Sequence, residues 1–207
     1  MTDAQQKQPK HVMMMAAGTG GHVFPALAVA QELQRKGIQV SWLATPAGME
    51  NRLLKNHNIP IYQIDIQGVR GNGMVRKMLA PFKILKATLS AMRYMKQLKV
   101  DAVAGFGGYV AGPGGLAARA LGIPVLIHEQ NAVAGFTNTQ LSRVAKVVCE
   151  AFPGTFPQQD KVAATGNPVR REIAEILNPS WRYQEREKAG LPLRILIVGG
   201  SLGARAL

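Results

Sequence analysis

The sequence predicts an α/β fold in which a doubly wound parallel sheet carries helices on both faces. Two observations predict it. Short apolar runs alternate with segments of helical character, which is the pattern of parallel strands joined by helical crossovers. Glycine-rich clusters follow several of these runs, at the carboxyl ends of strands, where such sheets bind ligands.

The predicted elements follow one another regularly along the chain. The apolar runs predict strands at residues 11–17, 38–44, 59–66, 100–104, 125–127 and around 147–148. Helices are predicted at 24–36, at 49–56, in a segment ending at Arg119 and at 137–144. The first of these helices has Pro25 in its first turn and Gly37 just past its end, as helix boundaries favour.

The end of the chain repeats the plan of its beginning. An apolar run at 194–198 precedes glycines and small residues at 199–204, and the polar stretch at 178–192 before it has the character of a linker. We therefore expect a polar tail at 1–10, a first domain at 11–167, a linker at 168–192 and, at 193–207, the truncated start of a second domain of the same kind.

Charge and cysteine content narrow the environment of the protein. The formal net charge of +13 indicates an anionic partner, namely nucleic acid, a phosphorylated substrate or an acidic membrane surface. Cys149 is the only cysteine, which fits a reducing cytoplasm, and its apolar run predicts a small core residue. No apolar run approaches the roughly 20 residues of a spanning helix.

The glycine loops suit a diphosphate-bearing ligand, because glycines at a strand-to-helix turn let backbone N–H groups approach an anion. A dinucleotide is the competing ligand. Its fingerprint fails, because the third glycine position after Gly18 and Gly20 is Val23, and the second strand ends at Thr45 and Pro46, without the expected acidic residue. Tight packing alone would also explain one such loop, but explains three less well.

Five motifs in order then resemble one family. They are Ala17-Gly18-Thr19-Gly20-Gly21-His22-Val23-Phe24-Pro25-Ala26, Gly107-Gly108-Tyr109-Val110-Ala111-Gly112-Pro113, His128-Glu129-Gln130-Asn131, Gly166-Asn167-Pro168-Val169-Arg170 and Gly199-Gly200-Ser201-Leu202-Gly203-Ala204. Together they resemble the MurG family of undecaprenyl-diphospho-muramoylpentapeptide N-acetylglucosaminyltransferases. Ala17 and Leu202 depart mildly from the family pattern, at positions that need not supply a side chain.

The resemblance implies the N-terminal half of a two-domain GT-B glycosyltransferase without a cofactor or a metal. The first domain would bind lipid I, the undecaprenyl-diphosphate-linked muramyl-pentapeptide, and the second would bind UDP-N-acetylglucosamine. The reaction inverts the anomeric carbon and yields lipid II for peptidoglycan synthesis. The enzyme would act at the cytoplasmic face of the inner (plasma) membrane as a peripheral protein, and the present chain alone would be inactive.

The same resemblance assigns roles to residues. His22 is the leading candidate for the base, since histidine titrates near neutral pH; its alternative is a structural histidine that caps the following helix. Glu129 is either the base, a residue that orients His22 or His128, or a helix-start carboxylate. Donor-binding positions are Thr19, Gly20, Gly21, Asn131, Arg170 and Ser201. Acceptor-binding positions are Gly18, Gly107, Gly108, Tyr109 and His128. Arg170 as a solvated residue and Tyr109 as a packing residue remain open alternatives.

The segment 70–99 contains eight basic residues and no acidic one. Interleaved apolar side chains make it suited to an anionic membrane surface, and an ordinary amphipathic helix is the alternative. Two other classes compete with the transferase. A nucleotide-dependent oxidoreductase conflicts with the incomplete fingerprint, and a basic module that binds nucleic acid or membrane leaves the glycine loops unexplained. We expect no nucleic-acid partner.

Overall fold

The computed structural model describes residues 10–66 and 74–197, with the backbone alone at 74–79. Strands and helices alternate through most of this range. The strands are β1 (His11–Ala16), β2 (Gln39–Ala44), β3 (Ile61–Gln63), β4 (Ala102–Gly107), β5 (Val125–Glu129), β6 (Val147–Glu150) and β7 (Val162–Ala164). The helices are α1 (Gly20–Arg35), α2 (Met49–Leu53), α3 (Met74–Gln97), α4 (Ala111–Ala120), α5 (Phe136–Ser142), α6 (Arg171–Ala174) and α7 (Pro179–Lys188).

The seven described strands form one parallel sheet in the order β3-β2-β1-β4-β5-β6-β7. The predicted doubly wound α/β class is therefore confirmed. The chain builds outward from β1 to β3 on one side, then crosses to β4 and continues on the other side. Sheets of this kind bind ligands at such a switch point, where neighbouring crossovers leave a crevice.

Alternation along β1 builds a core on each face of the sheet. Met13 and Met15 are fully buried among side chains of α3, α4 and α5, whereas Met14 is fully buried with Trp42 under α1. Successive residues of a strand point to opposite faces, so one apolar strand supplies both cores. This central position holds the carboxyl end of β1 rigidly in place.

Three predicted boundaries differ near that end of the sheet. Helix α1 begins at Gly20 rather than at residue 24, so His22 lies in its first turn. Strand β4 runs through Gly107 and β5 through Glu129, so residues assigned to loops belong to strand ends. Pairing with neighbouring strands and the packing of α1 override the low helix and strand propensity of glycine.

The chain divides into two compact units, one ending at Arg171 and one beginning at Glu172. The short strand β7, which sequence patterning missed, completes the first unit. In the second, the polar stretch interpreted as linker contains α7, with Pro179 in its first turn and the Asn178 side chain accepting a hydrogen bond from Ser180 N–H. Residues 194–197 form no strand, because a strand needs a partner to satisfy its backbone groups. Ser201 and the last glycine motif lie outside the described residues.

Candidate functional site

Three loops meet at the carboxyl edge of the sheet, where β1, β4 and β5 are neighbours. A β-carbon at Gly107 would lie 2.9 Å from His22 Cε1, so the backbone at the end of β4 touches the imidazole ring. A β-carbon at Gly18 would lie 3.9 Å from the ring of Tyr109. His22 in turn contacts the residue that follows β5, Gln130. The sequence-predicted clusters at 18–22, 105–115 and 128–131 therefore come together.

Two glycines after β4 make this close approach possible. Gly107 and Gly108 have φ values of +99° and +80°, in the left-handed region that side chains rarely adopt. A β-carbon at Gly108 would clash with the carbonyl oxygen of Ala17. The β4 turn is therefore packed directly on the end of β1. The backbone can take this path only because both residues lack a side chain.

His22 is half-buried, and its side chain reaches across to β5 rather than capping α1. Its Nδ1 atom lies 3.2 Å from Gln130 Oε1. The residue at the N-cap position of α1 is Thr19, whose side chain makes no capping hydrogen bond. The geometry thus favours a site role for His22 over a helix-capping role.

Glu129 organises the loop that follows β5. Its side chain is 1% exposed, and Oε1 accepts hydrogen bonds from the backbone N–H (3.0 Å) and the side-chain amide (2.8 Å) of Asn131. Oε2 accepts from Gly135 N–H at 3.0 Å and from Asn138 Nδ2 at 2.9 Å. Burial opposes its charge, but the hydrogen bonds from Gly135, Asn138 and Asn131 outweigh burial and lower the pKa of Glu129. A carboxylate so occupied favours a structural role over that of a base.

His128 is 3% exposed and held on two sides. Nε2 lies 3.0 Å from the carbonyl oxygen of Gly166, and the ring stacks on Phe106 at a centroid distance of 5.4 Å. Burial lowers the pKa of His128, although the Gly166 hydrogen bond and the charge of Glu129 act in the opposite direction. The neutral imidazole is therefore the favoured form.

Those residues assigned to donor binding that the structure describes lie around the beginning of α1. Thr19, Gly21 and Asn131 are exposed, and Gly20 is partly exposed. Arg170 is also exposed, and its guanidinium lies 5.1 Å from the ring centre of Phe24 in α1. This cation–π contact places a positive charge beside the first turns of α1, as a phosphate-binding arginine requires.

Two residues that contribute to the edge were not singled out from the sequence. Gln130 contacts both His22 and His128. Glu50 is fully buried and accepts hydrogen bonds from the backbone N–H and the hydroxyl of Thr45, both at 2.8 Å. Its other oxygen lies 3.5 Å from Gly18 N, which ties the glycine loop to the end of β2. Nothing in the sequence pattern marks a buried carboxylate of this kind.

The parallel sheet and its glycine-lined switch point define a Rossmann-like α/β domain. Residues 12–149 match the model of the glycosyltransferase family 28 N-terminal domain. The chain therefore belongs to glycosyltransferase family 28.

Two proteins of similar sequence carry the same name. A protein of Acinetobacter baumannii (strain AYE) is 84% identical over all 207 residues, and one of Vibrio parahaemolyticus is 53% identical over 201 residues, covering 97% of the chain. Both are named UDP-N-acetylglucosamine–N-acetylmuramyl-(pentapeptide) pyrophosphoryl-undecaprenol N-acetylglucosamine transferase. The chain spans 57% and 55% of their lengths. The crystal structure of Acinetobacter baumannii MurG has 80% sequence identity and a TM-score of 0.76, covering 96% of this chain and 55% of that one.

Proposed function

We propose that this chain is the acceptor-binding part of an enzyme that transfers N-acetylglucosamine from UDP-N-acetylglucosamine to lipid I, giving lipid II for peptidoglycan synthesis. The observation that carries the proposal is the placement of His22 between two glycine turns at the switch point of the sheet. The similarity to transferases with that substrate name supports it.

The site divides between the two substrates. Gly107 and Gly108, beside exposed Tyr109, form the turn before α4, and backbone N–H groups of this turn would cradle the acceptor diphosphate. Gly18 completes the acceptor side. His128 was also assigned to it, but this side chain is 3% exposed and bonded through both ring nitrogens, so it would support the acceptor side without touching the acceptor. Residues 11–167 would form this acceptor domain, 168–192 would link it to the next, and 193–207 would begin the donor domain.

The donor diphosphate would lie at the beginning of α1. There the N–H groups of Gly20 and Gly21 are available to an anion, and Thr19 adds a hydroxyl. Arg170 lies beside Phe24 in the same helix and would stabilise charge on the departing UDP. Asn131 and Ser201 would contact the rest of the donor.

His22 would remove the proton from the muramyl 4-hydroxyl. The freed oxygen then bonds to the anomeric carbon of N-acetylglucosamine from the face opposite UDP, which leaves with the electron pair of the broken bond. A base positioned in this way contributes about 10²–10⁴-fold to a rate. The single displacement accounts for inversion.

Helix α3 offers the surface that would bring the enzyme to its lipid-linked acceptor. Phe82 is 72% exposed, and Leu85 and Leu89 are each 57% exposed. Exposed Lys83 and Lys86 lie beside them, while the opposite side of the helix packs into the core. Exposed apolar groups next to cations suit an anionic bilayer surface, where each nearby lysine or arginine contributes about 1 kcal/mol.

No helix in the described part of the chain is both long enough and apolar enough to cross a membrane. We propose peripheral attachment to the cytoplasmic face of the inner membrane through segment 70–99, because the exposed side chains of α3 combine apolar and basic groups. Arg70 lies outside the described residues, and the structure gives no side-chain positions for Arg76 and Lys77.

Vesicle sedimentation tests the membrane surface. The double variant Lys83→Glu/Lys86→Glu should lose most of its binding to vesicles rich in phosphatidylglycerol, and the unaltered chain should dissociate as salt rises. Arg52→Glu/Lys55→Glu is the matched control, because it makes the same charge change in α2 and the turn that follows it, on the other side of the sheet. Equal binding by both double variants would reject α3 as the contact surface.

Ligand-induced thermal stabilisation tests the division of substrates. A water-soluble muramyl-pentapeptide diphosphate with a short prenyl chain should stabilise the 207-residue chain, by about 2.7 kcal/mol at a concentration 100 times its Kd. UDP-N-acetylglucosamine at the same concentration should stabilise it much less. Stabilisation by the donor alone would reverse the assignment.

A further inference from the structure

Gln130 connects the two histidines of the site. It is 7% exposed, and its Oε1 lies 3.2 Å from His22 Nδ1. Its Nε2 lies 3.1 Å from the backbone oxygen of His128 and 3.3 Å from His128 Nδ1. The amide therefore bridges the first turn of α1 and the end of β5.

The backbone oxygen of His128 determines which way the amide points. A carbonyl oxygen can only accept hydrogen bonds, so the amide group of Gln130 that faces it is the NH₂. Asn138 Nδ2 donates to the same oxygen at 3.1 Å. Gln130 Oε1 is consequently the atom that faces His22, and His22 Nδ1 must donate the proton of that hydrogen bond.

The ring of His128 agrees with this orientation. Its Nε2 lies 3.0 Å from the carbonyl oxygen of Gly166, an acceptor, so Nε2 carries a proton. Its Nδ1 is then free to accept from Gln130 Nε2, as the neutral ring requires. Stacking on Phe106 holds the ring plane. In the series of hydrogen bonds that links Gly166, His128, Gln130 and His22, every donor thus meets an acceptor.

We propose that Gln130, oriented by His128, is a positioning residue that holds His22 in the tautomer protonated at Nδ1 and leaves Nε2 as the proton acceptor. Among the described residues, His22 Nε2 has no hydrogen-bonding partner. This tautomer identifies the reacting atom of His22, an identification that rests on the proposed function. Nε2 takes the proton of the acceptor hydroxyl, and the resulting imidazolium donates to Gln130 through Nδ1.

Nuclear magnetic resonance tests, without substrate, whether Gln130 fixes the tautomer of His22. Long-range ¹H–¹⁵N correlation of the 207-residue chain should show His22 protonated at Nδ1 and His128 protonated at Nε2. Replacing Gln130 with methionine removes the acceptor at similar volume, and His22 should then average between tautomers. Gln31→Met is the matched control, because Gln31 Nε2 lies 3.2 Å from His57 Nδ1, so that change should alter His57 and leave His22 unchanged.

Turnover gives the second readout, in a full-length protein that contains this chain. A hydrogen bond to a charged group corresponds to about 10- to 100-fold in rate. We expect Gln130→Met to lower kcat by about that factor while the donor KM stays within about threefold. Gln130→Glu keeps an acceptor toward His22 but places an oxygen against the His128 carbonyl. A positioning role predicts that Glu retains more turnover than Met, whereas a purely structural role predicts the reverse order.

The two readouts test the positioning role of Gln130 separately from the proposed function. Protonation of His22 at Nε2 in the unaltered chain would overturn the positioning role of Gln130, and so would an unchanged His22 tautomer in Gln130→Met. Lower turnover in Gln130→Glu than in Gln130→Met would overturn it as well. A full-length protein without transferase activity would overturn the proposed function, and the resonance measurements would still decide the tautomer.

Discussion

Replacing Glu129 with glutamine separates its two candidate roles. The carboxylate accepts four hydrogen bonds, two on each oxygen. Glutamine keeps one oxygen and turns an NH₂ toward two N–H donors, so two bonds to a charged acceptor are lost, at about 1.5–3 kcal/mol each. Relief from burying a charge offsets part of this loss. The net destabilisation should be about 3 kcal/mol, a fall in Tm of about 6–12 °C for a unit of this size.

Urea denaturation and thermal melting of the 207-residue chain measure this loss. Glu32→Gln is the control, because it makes the same chemical change at a solvent-exposed ion pair with Arg35 and should shift stability by less than about 0.5 kcal/mol. Unchanged stability in Glu129→Gln, together with a turnover loss above about 100-fold in the full-length protein, would refute the loop-organising role and restore Glu129 as the base.

Two further predictions concern the same edge of the sheet. Gly107→Ala and Gly122→Ala both place a β-carbon at positive φ and should each lower the free energy of unfolding by about 1–3 kcal/mol. Only the change at Gly107 should shift the His22 resonances, because a β-carbon at Gly122 would meet nothing within 4 Å. Equal shifts would contradict the close packing of Gly107 on His22. The pKa of His128 is lowered in the folded state, so the unfolded chain binds the extra proton and stability should fall as pH drops below about 6.5, by up to about 1.4 kcal/mol per pH unit. Melting curves of the chain and of His128→Gln between pH 7.5 and 5.5 should show a smaller decline in the variant, and identical declines would contradict it.

Periodicity and glycine placement were sufficient to predict the fold class and to bring the three glycine and histidine loops to one edge. A buried parallel strand such as β1 needs apolar residues on both faces, which leaves an unbroken apolar run in the sequence. The short strand β7 leaves no such run, because its three residues are only partly covered. Helix α7 lies within the stretch predicted as linker, and the sequence does not mark it as a helix, since a polar and exposed helix has no apolar periodicity.

The sequence predicts more of the residues of the candidate site than of the hydrogen bonds between them. His22 and Glu129 were both identified, but their division of labour depends on hydrogen bonds between loops far apart in sequence. Gln130 lies in one of the five motifs, but the sequence assigns it no role. The role of its side-chain amide depends on its two hydrogen-bond partners, which only the structure shows. Cys149, predicted as a core residue, is half-buried, because it shares the less covered face of β6 with Val147, while Val148 and Glu150 on the opposite face are buried.

Turnover of His22→Ala in a full-length protein containing this chain decides whether His22 is the base. If His22 is the base at the acceptor edge, transfer of labelled N-acetylglucosamine to a short-chain lipid I should fall at least about 100-fold. Affinity for UDP-N-acetylglucosamine should remain within about threefold, because the variant leaves the donor contacts in place. Transfer at a near-normal rate would contradict the account and remove His22 from the reaction.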